Sequence, residues 1–390
     1  MLSALLPPLT PTGTTTRRPP ATVYVMRHCD RSTYLPDLEW SSPFSYLANY
    51  TDGGELPSWG VAPTLCTARG REIIRGQGRN LRAEFSRYAG ALKVVFDSGS
   101  QRDATTAAEF LAGLGLPNIS TGDFGLFNPA EAGYCPELTA AERAAAVQER
   151  LAAVPPLSGL RGRLASLQRA LGAGVAPPLQ EISDSVSAEH GAWVGGTYVA
   201  GAWIEAMLLQ YGAGLPIAYG RITPAQLYEL LELHVYYRAV NDRPFAVEQR
   251  GGSNLLAHAL ADLRGGGGGA SLYVGHDTNL DQFGVLCDLA WDDIAPYPAN
   301  ATPPGSMLRL TASDACANFP LGGGLCERVV SADFLYTTFE TTDGAMRVAP
   351  ATFAGGARTM PLRRFEEKAA AAIDARCVRM RAVAPPVEAS

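Results

Sequence analysis

Three short β-rich runs dominate this sequence, because each one ends abruptly in charged side chains. They are Thr22–Met26, Lys93–Phe96 and Ser271–Gly275. Continuous apolar runs of this length are typical of buried parallel strands. We therefore predict an α/β fold with a mostly parallel sheet flanked by helices. Further strands are predicted at Met307–Leu310 and Phe334–Thr338.

Polar side chains of a reactive kind follow the three runs. They are Arg27, His28, Arg31, Arg102, His276 and Asp277. Ligand sites in open α/β sheets lie beyond the carboxyl ends of the strands, so these groups should meet at one edge. Three guanidiniums suit a phosphate dianion, and the histidines and the aspartate supply a nucleophile and a proton donor. The arginines disfavour an imidazolium, so we expect His28 to be unprotonated.

Composition excludes several classes of protein. The 390 residues are 47% hydrophobic and 18% charged, which is ordinary for a globular protein. The formal net charge of −6 argues against general nucleic-acid binding. No apolar stretch is long enough to span a bilayer. The stretch Met1–Leu9 is a poor signal peptide, because it lacks a basic region and contains Pro7 and Pro8.

The pattern changes between about residues 140 and 263 to helices broken by Pro and Gly. Predicted helices in this stretch are Ala140–Ala153, Thr197–Gln210 and Pro224–Val235, and others lie at Arg69–Ala89 and Ala104–Leu114. We predict a flexible segment at residues 1–20, an α/β domain at 21–133 and 263–390, and a smaller helical domain inserted at 134–262. The site should lie in the cleft between the two domains.

The motifs in this order resemble the acid phosphatase branch of the histidine phosphatase superfamily. Its signature is Arg-His-Gly-x-Arg-x-Pro, followed by a third Arg and a later His-Asp pair. The runs at residues 126–129, 220–223, 275–280 and 302–305, with Cys135, are similar to the bacterial periplasmic phytase and glucose-1-phosphatase group. The resemblance implies a phosphoglycerate-mutase-like fold and a metal-independent acid phosphatase without a cofactor.

The resemblance also implies a role for each candidate residue. His28 would form a phosphohistidine, and Asp277 would protonate the leaving alkoxide and then activate water. Phosphate would be bound by Arg27, Arg31, Arg102 and His276. Glu205 matches a position that faces substrate, although a solvated helix-face carboxylate explains it equally well. Arg243 and Arg250 are further candidates to reach a substrate from the insertion.

Several alternatives remain open. The substrate is a small phosphomonoester, and phytate and sugar phosphates are both candidates; oligomeric state is open. Catalysis by Cys29 is disfavoured, because Leu35 stands where that chemistry needs an Arg. The mutase branch would have Gly in place of Asp277. A non-catalytic phosphate-binding protein is a further alternative. Taken singly, Asp277 could cap a helix and Arg102 could pair with Asp103 or Glu109.

Two departures from the family pattern concern the signature. Cys29 stands in place of Gly and Thr33 in place of Pro, and Tyr34 and Leu35 replace a Thr-Lys pair that helps to hold phytate. The last difference weakens the case for a dedicated phytase. We expect Cys29 to be a free, partly exposed thiol with its thiolate favoured, so that alkylation would inactivate the protein.

The seven cysteines indicate at least one unpaired thiol. The resemblance implies a Cys135–Cys377 disulfide, and the turn between Cys316 and Cys326 predicts a second one. Both disulfides are expected if the protein meets an oxidising compartment. Three sequons, which begin at Asn49, Asn118 and Asn300, hint at a secretory route, so we expect a secreted, periplasmic or endomembrane location.

Overall fold

The structure is a computed structural model that describes residues 18–33, 45–54, 56–88, 90–265, 268–316 and 326–380. Most of the predicted flexible segment, together with Tyr34 and Leu35, lies outside these residues. Among the described residues, no helix combines the length and the apolar character that crossing a membrane requires.

Eleven strands are present in the described chain. They are β1 (Ala21–Arg27), β2 (Leu92–Phe96), β3 (Thr121–Gly122), β4 (Ser185–Ser187), β5 (Ala192–Val194), β6 (Ala270–Gly275), β7 (Leu289–Ala290), β8 (Met307–Cys316), β9 (Cys326–Tyr336), β10 (Arg347–Phe353) and β11 (Thr359–Pro361).

Ten α-helices accompany them in the same residues. They are α1 (Ala68–Phe85), α2 (Gln101–Leu114), α3 (Phe124–Phe127), α4 (Ala140–Ala153), α5 (Leu160–Leu171), α6 (Gly196–Ala213), α7 (Pro224–Asn241), α8 (Phe245–Arg264), α9 (Asp277–Leu286) and α10 (Leu362–Ala372). Short 3-10 helices lie at Ser45–Tyr50, Ser86–Tyr88, Leu179–Glu181, Ile217–Gly220 and Ala375–Cys377.

The main sheet has nine strands and two different halves. Its order is β3-β2-β6-β1-β8-β9-β10-β7, with β11 also paired to β9. The neighbours β3, β2, β6 and β1 are parallel, as the apolar runs predict. From β8 onward every pairing is antiparallel, and β8 and β9 form a long hairpin. The predicted α/β fold is therefore confirmed, and its parallel part is the half that carries the candidate residues.

The position of β1 in the middle of the sheet decides where its carboxyl end points. All seven of its residues are buried, because β6 pairs with it on one side and β8 on the other. Arg27 lies opposite Gly275 in this register. The residues that follow β1 and β6 are therefore neighbours, which brings His28 next to His276.

Local sequence explains where the insertion helices begin. Thr139 and Glu142 form a capping box at the start of α4, and Thr223 and Gln226 form another at α7. Pro224 occupies the first turn of α7, where a missing N–H costs nothing. The predicted starts at residues 140 and 224 are thus correct, although α7 runs on to Asn241 rather than ending at Val235.

One apolar cluster joins the sheet to the helices of residues 134–262. It contains Val25 and Tyr273 of the sheet together with Leu167, Ile204 and Leu231 of α5, α6 and α7. Helix α6 is buried over most of its surface, so it lies between other elements rather than on the outside. The division of the chain into two domains stays a prediction, because the core is continuous across the proposed boundary.

Three disulfides are present, two of them as predicted. Cys135 is bonded to Cys377, and Cys316 to Cys326. The third joins Cys29 to Cys66 across 37 residues. Cys287 is the buried free thiol.

Candidate active site

The segment after β1 is held in place by backbone hydrogen bonds to β6 and to the turn before β8. The His28 N–H donates to the Gly275 carbonyl at 2.8 Å, and the Gly305 N–H donates to the His28 carbonyl at 2.9 Å. At Gly275 a Cβ atom would lie 2.3 Å from the Asn279 Oδ1, so only glycine fits. The nucleophile candidate therefore stands on a backbone that is fixed from two sides.

Cys29 does not have the free thiol that the sequence predicts. It is fully buried and bonded to Cys66, just before α1. Its N–H donates to Thr106 Oγ1 of α2 at 2.9 Å. The hypothesis of a reactive, exposed thiolate is wrong, because the small residue in place of glycine is used as a cross-link. The disulfide ties the β1 loop to α1, and Thr106 ties it to α2.

His28 is buried, and its surroundings favour the neutral imidazole. Its Nδ1 lies 2.8 Å from the Cys29 carbonyl oxygen, which can only accept a hydrogen bond. Nδ1 therefore carries the hydrogen, and Nε2 is left with its lone pair. Burial holds the pKa of His28 well below its usual value, and the charges of Arg102, His276, Arg27 and Arg31 lower it further. The lowered pKa agrees with the expectation that His28 is unprotonated.

The structure brings the three predicted arginines around His28. Arg27 is almost completely buried and donates to the Thr302 carbonyl and to Glu205. Arg31 donates to the Ser32 carbonyl at 3.1 Å. Arg102, in the first turn of α2, exerts the largest charge effect on the pKa of His28. Arg71 and Arg75 bind Glu109, so Glu109 is already engaged by other arginines.

His276 lies between two carboxylates. Its Nε2 is 3.3 Å from Asp97 Oδ2, and its Nδ1 is 3.5 Å from Asp103 Oδ2. Asn128 and the Gly99 N–H also bind Asp97, at 2.6 and 2.8 Å. Burial raises the pKa of Asp103 to about 7. These contacts fix the imidazole of His276, whose ring centroid lies 5.4 Å from that of His28.

Asp277 uses its two oxygens differently. Oδ1 accepts from the Thr278 N–H at 2.9 Å, but the N-cap position of α9 is occupied by His276, so the helix-capping alternative for Asp277 is wrong. Oδ2 lies 3.0 Å from Arg238 and 3.3 Å from Arg27. Burial opposes ionisation, but the charges of Arg238 and Arg27 hold the pKa of Asp277 well below its usual value. The free protein therefore carries Asp277 as a carboxylate.

Arg238 of α7 is the residue that sequence reasoning missed. It is buried, and besides Asp277 it binds Asp281, to which its Nε donates at 2.9 Å. Arg243 donates to the other oxygen of Asp281 at 2.9 Å, and Arg250 pairs with Asp374 at 2.7 Å. Arg243 and Arg250 are thus engaged by carboxylates. No spacing in α7 marks Arg238, because its partners come from another part of the chain.

Glu205 of α6 faces the site rather than solvent. It binds Arg27, and its other oxygen lies 3.6 Å from His234 Nε2. His234 Nδ1 donates to the Gly201 carbonyl at 3.0 Å, and burial lowers the pKa of His234. The solvated alternative for Glu205 is wrong in this structure. Its role toward a substrate stays a prediction.

Three side chains in the site could in principle ligate a metal ion. Donor atoms of His28, Asp103 and His276 lie within 4.8 Å of one another. The three arginines around them favour an anion, however, as the depressed pKa of His28 indicates. The charge distribution therefore fits a phosphate better than a cation.

Sequence comparison finds no matching family model and no matching curated protein. Solved structures do match. The phytase of Klebsiella sp. ASR1 is 20% identical with a TM-score of 0.76, over 95% of this chain and 100% of that chain. The Hafnia alvei phytase in complex with myo-inositol hexakis sulphate is 21% identical with a TM-score of 0.75, over 94% and 100%. The Citrobacter braakii phytase is 22% identical with a TM-score of 0.75, also over 94% and 100%.

These matches establish the fold over almost the whole chain. It is the α/β fold of bacterial phytases, with the inserted helices included in the match. The fold implied by the sequence resemblance is thereby confirmed. Identities of 20–22% establish the fold alone, and the same fold can support different chemistries.

Proposed function

We propose that this protein is a phosphomonoester hydrolase of the histidine acid phosphatase type. One observation carries the proposal: a buried, neutral His28 with a free Nε2 lies among three arginines and beside an aspartate. Three guanidiniums bind the non-bridging oxygens of phosphate, and each charge-assisted bond contributes roughly 1.5–3 kcal/mol. No cofactor has a role in this chemistry.

The chemistry would proceed in two steps. His28 Nε2 attacks phosphorus, the ester P–O bond breaks, and Asp277 gives a proton to the leaving alkoxide. Asp277, now a carboxylate, then takes a proton from water as that water attacks the phosphohistidine and releases phosphate. His276 would hold a transferring oxygen, since its ring is fixed beside His28.

The proton for the first step has a defined source. Arg238 and Arg27 keep Asp277 ionised in the free protein. A phosphomonoester has a second pKa near 6, so its monoanion brings one proton at acid pH. A phosphate monoanion bound beside ionised Asp277 carries the same total number of protons as a phosphate dianion bound beside protonated Asp277. We therefore infer an acid optimum.

The substrate is a small phosphomonoester, with phytate and sugar phosphates as the alternatives within this class. An oxidising compartment, either secreted or periplasmic, is part of the same proposal. It is supported by the three disulfides, one of which lies next to His28.

The decisive experiment replaces the nucleophile. His28→Ala should lower turnover of phosphomonoesters by at least about 10³-fold and abolish an acid-labile phosphoenzyme in quenched reactions, with chelator present throughout. His190→Ala, at an exposed position, is the matched control and should behave as the parent. Near-parental turnover in His28→Ala would refute the mechanism.

A further inference from the structure

A cavity of about 290 Å³ is lined by Arg31, Glu205 and Arg238 of the candidate site and by Thr278, the neighbour of Asp277 in the chain. The size is at the lower end for small-molecule sites. If the protein has the proposed function, the lining of this cavity determines which alcohol part of the phosphomonoester is accepted.

A large part of the lining of this cavity is apolar or aromatic. These residues are Leu47, Tyr198, Ala202, Ala206, Leu209 and Tyr237. Tyr198 and Tyr237 pack edge to face with their ring centroids 5.5 Å apart. A rigid aromatic wall of this kind favours an apolar or flat face on the ligand.

The charges of the cavity balance one another. Arg31 and Arg238 are opposed by the carboxylates of Glu205 and Asp242. Arg238 is further committed to Asp277 and Asp281, and Arg31 belongs to the phosphate pocket. Burial lowers the pKa of His234, the remaining basic group of the lining, and so disfavours its charged form.

The cleft continues past Thr278 and Asp242 into a second cavity of about 380 Å³. Two arginines line it, Arg143 and Arg250, and Arg250 is paired with Asp374. Its acidic residues are Glu131, Glu137, Asp242, which also lines the first cavity, and Glu248, whose pKa burial raises well above its usual value. This extension of the cleft offers a polyanion no excess of positive charge.

We propose that this site selects phosphomonoesters of uncharged alcohols with an apolar face and discriminates against polyphosphorylated substrates. The aromatic wall and the balanced charge of the cavity both point to this class. Inositol hexakisphosphate, with one phosphate bound at His28, would bring roughly eight to ten further negative charges into the cleft. Those charges would meet Glu131, Glu137 and Glu205 as well as the arginines, so the described lining offers them no net attraction, which is a source of specificity.

Two matched pairs of substrates test the proposal. Myo-inositol monophosphate and myo-inositol hexakisphosphate share one alcohol and differ in the extra phosphates. 2-Phenylethyl phosphate and ethyl phosphate are both alkyl esters and differ in the ring. We expect kcat/KM to be at least tenfold lower for the hexakisphosphate than for the monophosphate. We expect it to be at least tenfold higher for the phenylethyl ester than for the ethyl ester.

The possible failures are distinct. If none of the four esters is hydrolysed, the proposed function itself falls. If they are hydrolysed but the hexakisphosphate equals or exceeds the monophosphate, or the ring gives no advantage, the proposed specificity is wrong while the phosphatase assignment stands.

A pair of variants assigns the cause. Ala202 is half-buried in the cavity wall on α6. Ala202→Lys should raise the ratio of kcat/KM for hexakisphosphate over monophosphate at least fivefold, since it adds one cation. Ala202→Met adds similar length without charge and should leave that ratio within twofold of the parent. Equal ratios in both variants would contradict charge as the origin of the discrimination.

Discussion

The two walls of the candidate site hold their charged groups in different ways. On the sheet wall, Arg27, His28, His276 and Asp277 lie at or just after the carboxyl ends of β1 and β6. Hydrogen bonds between neighbouring segments hold the backbone around them. On the helix wall, Glu205 and Arg238 project from the interiors of α6 and α7. On the proposed mechanism the sheet wall supplies the reacting atoms, while Arg238 of the helix wall helps to keep Asp277 ionised and both helices border the cavity.

The largest effect should come from the acid on the sheet wall. Asp277→Asn keeps shape but cannot transfer the proton, so we expect kcat to fall about 10²–10⁴-fold for alkyl phosphates. An activated aryl phosphate, whose leaving group needs less protonation, should lose much less. Steady-state kinetics on both ester types provides the measurement. Equal losses on both would remove Asp277 as the general acid.

The pH profile should show that the substrate carries the proton. Because Asp277 has a depressed pKa and is ionised in the free protein, the reactive substrate form is the monoanion. We expect kcat/KM to fall about tenfold per pH unit above the second pKa of the ester, near 6. An ester with a lower second pKa should move this limb to lower pH. If the fall in kcat/KM occurred at the same pH for every ester, the proton would not come from the substrate.

A smaller effect should come from the helix wall through Arg238. Arg238→Lys keeps the charge but loses the fork that spans Asp277 and Asp281. We expect kcat to drop about 10- to 100-fold, because a small misplacement of the acid is costly. Arg243→Lys is the control, since Arg243 binds the opposite oxygen of Asp281. Similar losses in both variants would point to a structural role only.

The Cys29–Cys66 cross-link should contribute stability and some activity. Replacing both residues, as Cys29→Gly with Cys66→Ala, should lower the free energy of unfolding by about 4 kcal/mol on the chain-entropy account of a 37-residue loop. We expect a loss of activity of less than about tenfold, because Thr106 and β6 still hold the loop. Chemical denaturation measures the first effect. The double replacement Cys316→Ser with Cys326→Ser is the control for loss of a disulfide far from the loop.

The smallest effect should come from Glu205. Its carboxylate occupies Arg27 in the free protein and competes with phosphate for that guanidinium. Glu205→Gln should therefore tighten inhibition by inorganic phosphate roughly three- to tenfold, equivalent to about 1 kcal/mol. Inhibition constants at fixed pH report this directly. Weaker inhibition would show that Glu205 supports the phosphate site instead.

The contrast between the walls also explains what the sequence could predict. A strand that ends in Arg-His or His-Asp is visible because the apolar run and the polar residues are adjacent in the chain. Arg238 escaped detection because α7 is an ordinary helix in sequence, and its partners lie about forty residues away in α9. Glu205 was found only through resemblance, and spacing alone left a solvated position equally good.

Cys29 shows a different limit. Its position beside His28 predicted a reactive thiol, since the nearby arginines would favour a thiolate. Its partner, Cys66, lies beyond an irregular stretch that carries no pattern from which the pairing could be derived. The approach of the segment after β1 to the start of α1 depends on the tertiary fold. The sequence therefore predicted a free thiol where the structure has a disulfide.

The central place of β1 in the sheet has a consequence for how the chain folds. Its partners are β6 and β8, so Thr22 faces Ala270 and Ala21 faces Ala312. These are contacts of very long sequence separation, which slow folding. At 5–20 residues per second, roughly 15–60 s of synthesis separate the first strand from its second partner. Cys29 and Cys66 are separated by only 37 residues, so their cross-link closes a much shorter loop than the pairing of β1 with its two distant partners.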